Sequence, residues 1–301
     1  MPQPLISCSH VRFFPVWTLC LALAAPVVIT VALTSPAHAQ TGSEAEASHR
    51  TALAHRAGGR LPEALTAARE AVRLRPDHAR YHFTLAGILR LQNDYEGALA
   101  EYRRAGELEP RSQESVAMTG AMLARLNRCE EAITVLRRAV EIAATDASSW
   151  GNLGACLRRL RRVDEAITAY QTALRANPGD PDLLNNYAVA LRQAGRAGEA
   201  ISALETALAR SPDDPMFHLN LAIALRASER WETAAQHYEA WARLTPAPSD
   251  PSPLFDLGYC YEQLHRTEQA VDAYDRYLSL VRDRDPAAVD RVEQRLDELI
   301  R

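Results

Sequence analysis

A recurrence every 34 residues dominates this chain. Residues 150–178 present Trp150, Leu153-Gly154, Leu157, Ala166, Tyr170, Ala173 and Pro178, and the same order of large, small, Ala, aromatic, Ala and Pro returns before and after. With each closing proline at the thirty-second place, units start at residues 45, 79, 113, 147, 181, 215 and 251. The twentieth residue is Ala in all seven: Ala64, Ala98, Ala132, Ala166, Ala200, Ala234 and Ala270. The eighth is always small (Ala52, Ala86, Gly120, Gly154, Ala188, Ala222, Gly258), which lets two helices approach closely. A unit this short cannot bury its apolar face alone, so neighbours must stack, and a chain of 301 residues then needs no single large core.

The apolar spacing within each unit predicts two antiparallel helices joined by a tight turn. Only 6% of residues are aromatic, with Ala and Leu abundant, which favours helix over sheet. Asp180-Pro181, Asp214-Pro215 and Asp250-Pro251 each offer an N-cap followed by proline at the first helical position. Carboxylates precede the Ala column (Glu63, Glu96, Glu130, Glu131, Asp164, Glu165, Glu199, Glu232, Glu268), where they complement the dipole of each second helix rather than form catalytic pairs.

The order and spacing of these residues resemble the tetratricopeptide repeat (TPR), over almost everything after residue 45. The resemblance implies an all-α, right-handed superhelical solenoid of seven helix-turn-helix units (45–282). Residues 286–301 read as one more amphipathic helix, with Val289, Val292, Leu296, Leu299 and Ile300 on one side, capping the end. Three departures stand out. The first unit is degenerate at Ser48, His55 and Ala68. The third has Ala144 in place of its proline. Between the sixth and seventh units two extra residues fall in a proline-rich run, near Trp241 and Tyr277, which stand where small residues are expected; these predict a local change of pitch.

The beginning of the chain reads differently. Arg12, an apolar run over residues 13–33 and Ala37-His38-Ala39 form the parts of a secretory signal peptide cleaved after Ala39, the alternative being an uncleaved membrane anchor. The mature chain is then periplasmic or secreted, with residues 40–47 a short flexible leader.

In TPR proteins the first helices line a concave groove, and the resemblance implies which columns face it. The sixth place reads Arg50, Thr84, Met118, Asn152, Asn186, Asn220 and Asp256. The three consecutive Asn are similar to the asparagine ladder of O-linked N-acetylglucosamine transferase, which grips an extended peptide; an amide offers both a donor and an acceptor to peptide groups. The twelfth place reads Arg56, Arg90, Ala124, Arg158, Arg192, Arg226 and Glu262, a basic strip suited to carboxylates on a partner. Phe83, Met118, Phe255 and Tyr259 supply anchor contacts toward the groove ends. The expected partner is therefore a protein or peptide segment, with acidic segments the electrostatic complement. A self-associating scaffold is the alternative, and a non-catalytic subunit of a transferase or export machine a further one.

Other chemistry finds little support. The net charge of −4 does not advertise nucleic-acid binding, and all 34 basic residues are arginine, which removes lysine-dependent chemistry. No Walker loop, nucleotide fingerprint or serine elbow occurs, so no enzyme and no cofactor are expected. His78 and His82 lack the glutamate of a metalloprotease helix. Cys156 and Cys260 take the tenth place as small core residues, and a Cys129–Cys156 disulfide remains open from the sequence.

Overall fold

The structure, a computed structural model, describes residues 36–282 and 284–300, with the side chains of 36–39 and 300 left aside. The signal-peptide reading therefore lies almost wholly outside the described residues. The described residues are all-α and run as seven helix pairs and a last helix. The pairs are α1 (Pro36–Ala57) with α2 (Leu61–Leu74), α3 (Ala79–Leu91) with α4 (Tyr95–Leu108), and α5 (Gln113–Arg125) with α6 (Cys129–Ile142). Next come α7 (Ala147–Arg159) with α8 (Val163–Ala176), and α9 (Pro181–Gln193) with α10 (Ala197–Leu208). Then follow α11 (Pro215–Ala227) with α12 (Trp231–Leu244), α13 (Ser252–Gln263) with α14 (Thr267–Val281), and finally α15 (Pro286–Ile300). No described helix is long and apolar enough to cross a membrane.

Each helix packs on the one before it and the one after, so the fold is a solenoid. The first helices α5, α7, α9 and α11 also touch their like neighbours directly, whereas successive second helices make no comparable contact. The first helices therefore form the inner, concave wall. The Ala column at the twentieth place is fully buried, from Ala64 to Ala270. Small residues at the eighth place do what their size requires: a Cβ on Gly154 would stand 2.9 Å from the Tyr170 ring, and one on Gly258 2.6 Å from that of Tyr274. One continuous apolar core threads the units from α1 to α15, where Val289, Leu296 and Leu299 pack against it.

The turn inside each pair carries a residue with positive φ at its fifteenth place: Gly59, Asn93, Asn127, Arg161, Gly195, Glu229 and His265. Left-handed backbone suits Gly and Asn but strains the other three by about 1–2 kcal/mol each. Asp180 accepts from Leu183 N, and Asp214 from Met216 N and Phe217 N, so two of the proline-led caps form as the sequence suggests. The third differs: α13 starts one residue later, Pro251 takes the cap position in a helical conformation, and Asp250 accepts from Ser252 N.

Residues 40–47 are not a flexible leader. They belong to α1, with Ala45 fully buried in a small cluster against Ala71 and Tyr81, and Tyr81 Oη donating to Glu46 at 3.1 Å. Their Ala and Glu content favours helix, and Tyr81 supplies the surface that a propensity argument could not anticipate. At the sixth–seventh junction Trp241, Ala242 and Leu254 form a cluster apart from the main core, and α11 and α13 make at most marginal contact.

Candidate functional site

The inner wall is built from the sixth- and twelfth-place columns of the first helices, and these columns are not uniform. At the sixth place Arg50 is exposed, while Thr84 is buried and bonds to His49 Nε2 at 2.9 Å, so the second unit offers no free polar group there. Met118 is half-buried against the core. Asn152 and Asn186 are half-buried and make no side-chain hydrogen bond among the described residues. Asn220 is half-buried too, but its Nδ2 donates to Asn185 Oδ1 at 2.8 Å. Asp256 is held by Tyr238 Oη at 3.2 Å and by Arg226 at 3.6 Å. Of the three-Asn ladder, two rungs are open and the third is partly committed.

At the twelfth place the arginines lie beside tyrosines of their own units. Arg90 neighbours Tyr102, Arg158 neighbours Tyr170, and Arg226 neighbours Tyr238. Burial pushes all three phenols up, while the adjacent guanidiniums pull them back. Arg56 Nη1 and Tyr102 Oη both lie beside Gly87, each 3.7 Å from where a Cβ would stand there. Beside Tyr170 no hydrogen bond closes: Tyr170 Oη and Arg158 Nε are both buried and unpartnered, as is Arg226 Nε in the sixth unit. Leu204 takes the tyrosine's place in the fifth unit, and Arg192 there is half-buried with no partner among the described residues.

The basic strip ends at the seventh unit, where the twelfth place is Glu262. Arg295 of α15 donates to both Glu262 oxygens, at 2.5 and 2.8 Å, and its guanidinium lies 5.2 Å from the centre of the Tyr259 ring. The capping helix thus reaches across the C-terminal end of the groove, leaving a cavity of about 330 Å³ between α13 and α15 that Phe255, Asp256, Arg291 and Arg295 help to line. Burial raises the Asp256 carboxyl, opposed by Arg226 and by the Tyr238 hydroxyl. The aromatic residues are similarly engaged: Phe83 packs edge-on against Tyr102, Phe255 against Tyr274 and Tyr277, and Tyr259 against Trp231.

Outside the groove, the histidines have structural work. Ring nitrogens at the fourth place bond back to the carbonyl six residues earlier: His82 to Pro76, Trp150 to Ala144 and His218 to Pro212. His82 also meets Glu101 at 2.6 Å. No group of residues fit to hold a metal ion occurs among the described residues. Cys129, Cys156 and Cys260 are free and buried; burial, then the neighbouring Cys129, pushes the Cys156 thiol up to about 12. The carboxylates of the second helices carry a network that the sequence columns did not disclose. Arg128 with Glu131 and Arg162 with Glu165 form bidentate pairs within a unit, while Arg103 with Glu131, Arg137 with Glu165 and Arg266 with Glu232 tie neighbouring units together.

Known proteins bear on this architecture as follows. The family model described as the cilia and flagella-associated protein 70 C-terminal domain, a TPR domain, matches residues 22–253, and a tetratricopeptide-repeat model matches residues 254–283. No curated protein matches. Among solved structures, PilF of Pseudomonas aeruginosa is similar at 21% identity and a TM-score of 0.60, over 69% of this chain and 95% of that one. PilW, described as a type IV pilus biogenesis factor, aligns at 18% identity and a TM-score of 0.61, again over 69% and 95%. YrrB, described as a TPR protein with an unusual peptide-binding site, gives 18% identity and a TM-score of 0.54, over 61% and 93%. At such identities the likeness is one of fold.

Proposed function

The chain belongs to the tetratricopeptide-repeat family, and on that premise we propose that it is a non-catalytic scaffold gripping an extended protein segment in its inner groove. The observation that carries this is the pair of open rungs. Asn152 and Asn186 stand one unit apart on touching helices, half-buried and with no partner inside the protein. An amide held partly out of water gains most from a ligand that supplies both a donor and an acceptor, which every peptide unit does. Asn220 adds a third, weaker rung through the capacity left by Asn185. Arg90, Arg158, Arg192 and Arg226 flank the track, and Phe83 and Tyr259 mark its ends. The peptide-binding site named for YrrB supports the same use of this fold.

The apolar run near the start of the sequence and the small-residue motif Ala37-His38-Ala39 support export to the periplasm or beyond, and the similarity to PilF and PilW is compatible with work in the cell envelope. Affinity capture from an envelope extract tests the reading, with the wild-type chain beside the Asn152→Ala, Asn186→Ala, Asn220→Ala variant. A partner retained by the first and lost by the folded second supports groove binding. Equal capture by both overturns it and directs attention to the outer face or to self-association.

A further inference from the structure

The seventh unit displays a bound carboxylate, and the same seat recurs without one. Asp256, on α13, lies between the Tyr238 hydroxyl and the Arg226 guanidinium of the preceding unit. Two units earlier Tyr170 and Arg158 form the corresponding pair, and the residue that stands where Asp256 would is Asn186, which does not reach them. The consequence is visible at the phenol: Tyr170 is wholly buried and its hydroxyl has no partner, whereas Tyr238 Oη has one; the guanidinium Nε is left open in both places, at Arg158 and at Arg226. Buried donors left open are uncommon in folded proteins. Tyr102 and Arg90 repeat the pair in the second unit, where Met118 takes the Asp256 position and Arg56 adds a second cation. The third and fifth units break the series with Leu136 and Leu204 in place of tyrosine.

We propose that the Arg158–Tyr170 and Arg90–Tyr102 pairs are seats for Asp or Glu side chains of an acidic partner segment, each filled as Asp256 fills the Arg226–Tyr238 pair. The inference rests on the groove reading and specifies its ligand chemistry. A carboxylate arriving there accepts from a phenol and faces a guanidinium, both already positioned, so little order must be created on binding. Asp256 closes the third seat from within, which confines acidic ligands to the second through fifth units.

The test uses the full chain and two labelled twelve-residue peptides, one alternating Asp and Ser, the other Asn and Ser, at low ionic strength. The acidic peptide is expected to bind at least tenfold more tightly. Tyr170→Phe should weaken that binding severalfold while leaving the melting temperature unchanged or higher, because it deletes a hydroxyl that has no partner. Asn186→Asp should place an internal carboxylate on the seat and weaken the acidic peptide tenfold or more. Asn152→Asp is the charge control: it adds the same charge one unit earlier, where Ala124 and Leu136 offer no seat, and should weaken binding less. Equal affinity for the two peptides, wild-type affinity in Tyr170→Phe and Asn186→Asp, or equal losses in the two Asp variants would overturn the seats. None of these results removes the groove itself, which partner capture judges separately. Failure of the acidic peptide to bind at all overturns the seats as well.

Discussion

The fourth and fifth units and the sixth and seventh are built on one pattern, yet they treat their groove columns in opposite ways. In the first pair Asn152, Asn186 and Arg192 have no partner among the described residues, and Tyr170 keeps a buried, unpaired hydroxyl. In the second, Asn220 bonds to Asn185, Arg226 and Tyr238 hold Asp256, and Arg295 clasps Glu262. Identical folds thus yield a surface with open amides and an open phenol and one whose acids and phenols are paired from within, though Arg226 Nε stays unpartnered there. Packing columns are repeated because every unit must bury the same face; polar groove columns are free to differ, and their satisfaction within the protein separates a surface waiting for a ligand from one finished as structure.

The strongest way to break this contrast is to remove the open rungs. Asn152→Ala with Asn186→Ala should cost about 2 kcal/mol of partner affinity, roughly thirtyfold, with the helical circular dichroism unchanged. The next effect belongs to the closed end. Arg295→Ala leaves Glu262 with only the Tyr274 hydroxyl, and we expect a loss of about 1–2 kcal/mol, discounted for partial exposure, seen as early urea unfolding of α15 with partner affinity retained. Turns should ignore the contrast altogether. Arg161→Gly in the fourth unit and Glu229→Gly in the sixth both relieve positive φ, and each should stabilise the chain by about 1 kcal/mol in thermal melts. Unequal gains would mean that strain is distributed with the groove.

Acid should act least and most locally. His237, half-buried and meeting His218 at 2.9 Å, is held below the ordinary histidine value by burial and then by that neighbour. The unfolded chain therefore binds its proton more readily, and stability that is complete above about pH 6.5 is lost as the pH falls from there toward the folded value. His49, lowered by burial and then by Arg80, adds the same sign at the first unit. Hydrogen-exchange protection factors, corrected for the intrinsic pH dependence of exchange, should fall between pH 7.5 and pH 5.5 in α1 and in α11–α12 and stay unchanged in α7–α10.

Much of this was legible in the residues, for physical reasons. The Ala column, the small eighth place and the caps at Asp180 and Asp214 are local or strictly periodic demands, and periodicity exposes them. The left-handed fifteenth place could have been read from Gly59, Asn93, Asn127 and Gly195, but Arg161, Glu229 and His265 obscure it. Other features depend on which side chains meet across units, and spacing alone does not reveal that. By its column Thr84 is a groove residue, yet it serves His49; Asn220 is by its column a full rung, yet it serves Asn185; residues 40–47 have a leader's composition, yet Ala45 packs under Tyr81.

The measurement that bears most directly on the account is the affinity of a captured partner for three full-length proteins. These are the wild type, Asn152→Ala with Asn186→Ala, and Asp256→Asn with Glu262→Gln. We expect the central variant to bind roughly thirtyfold more weakly and the C-terminal variant to bind no more weakly than the wild type, and more tightly where the partner segment is acidic, because Asp256→Asn frees the Arg226–Tyr238 pair. The reverse order, with the central variant unimpaired and the C-terminal one crippled, would contradict the claim that the open middle of the groove is its working surface.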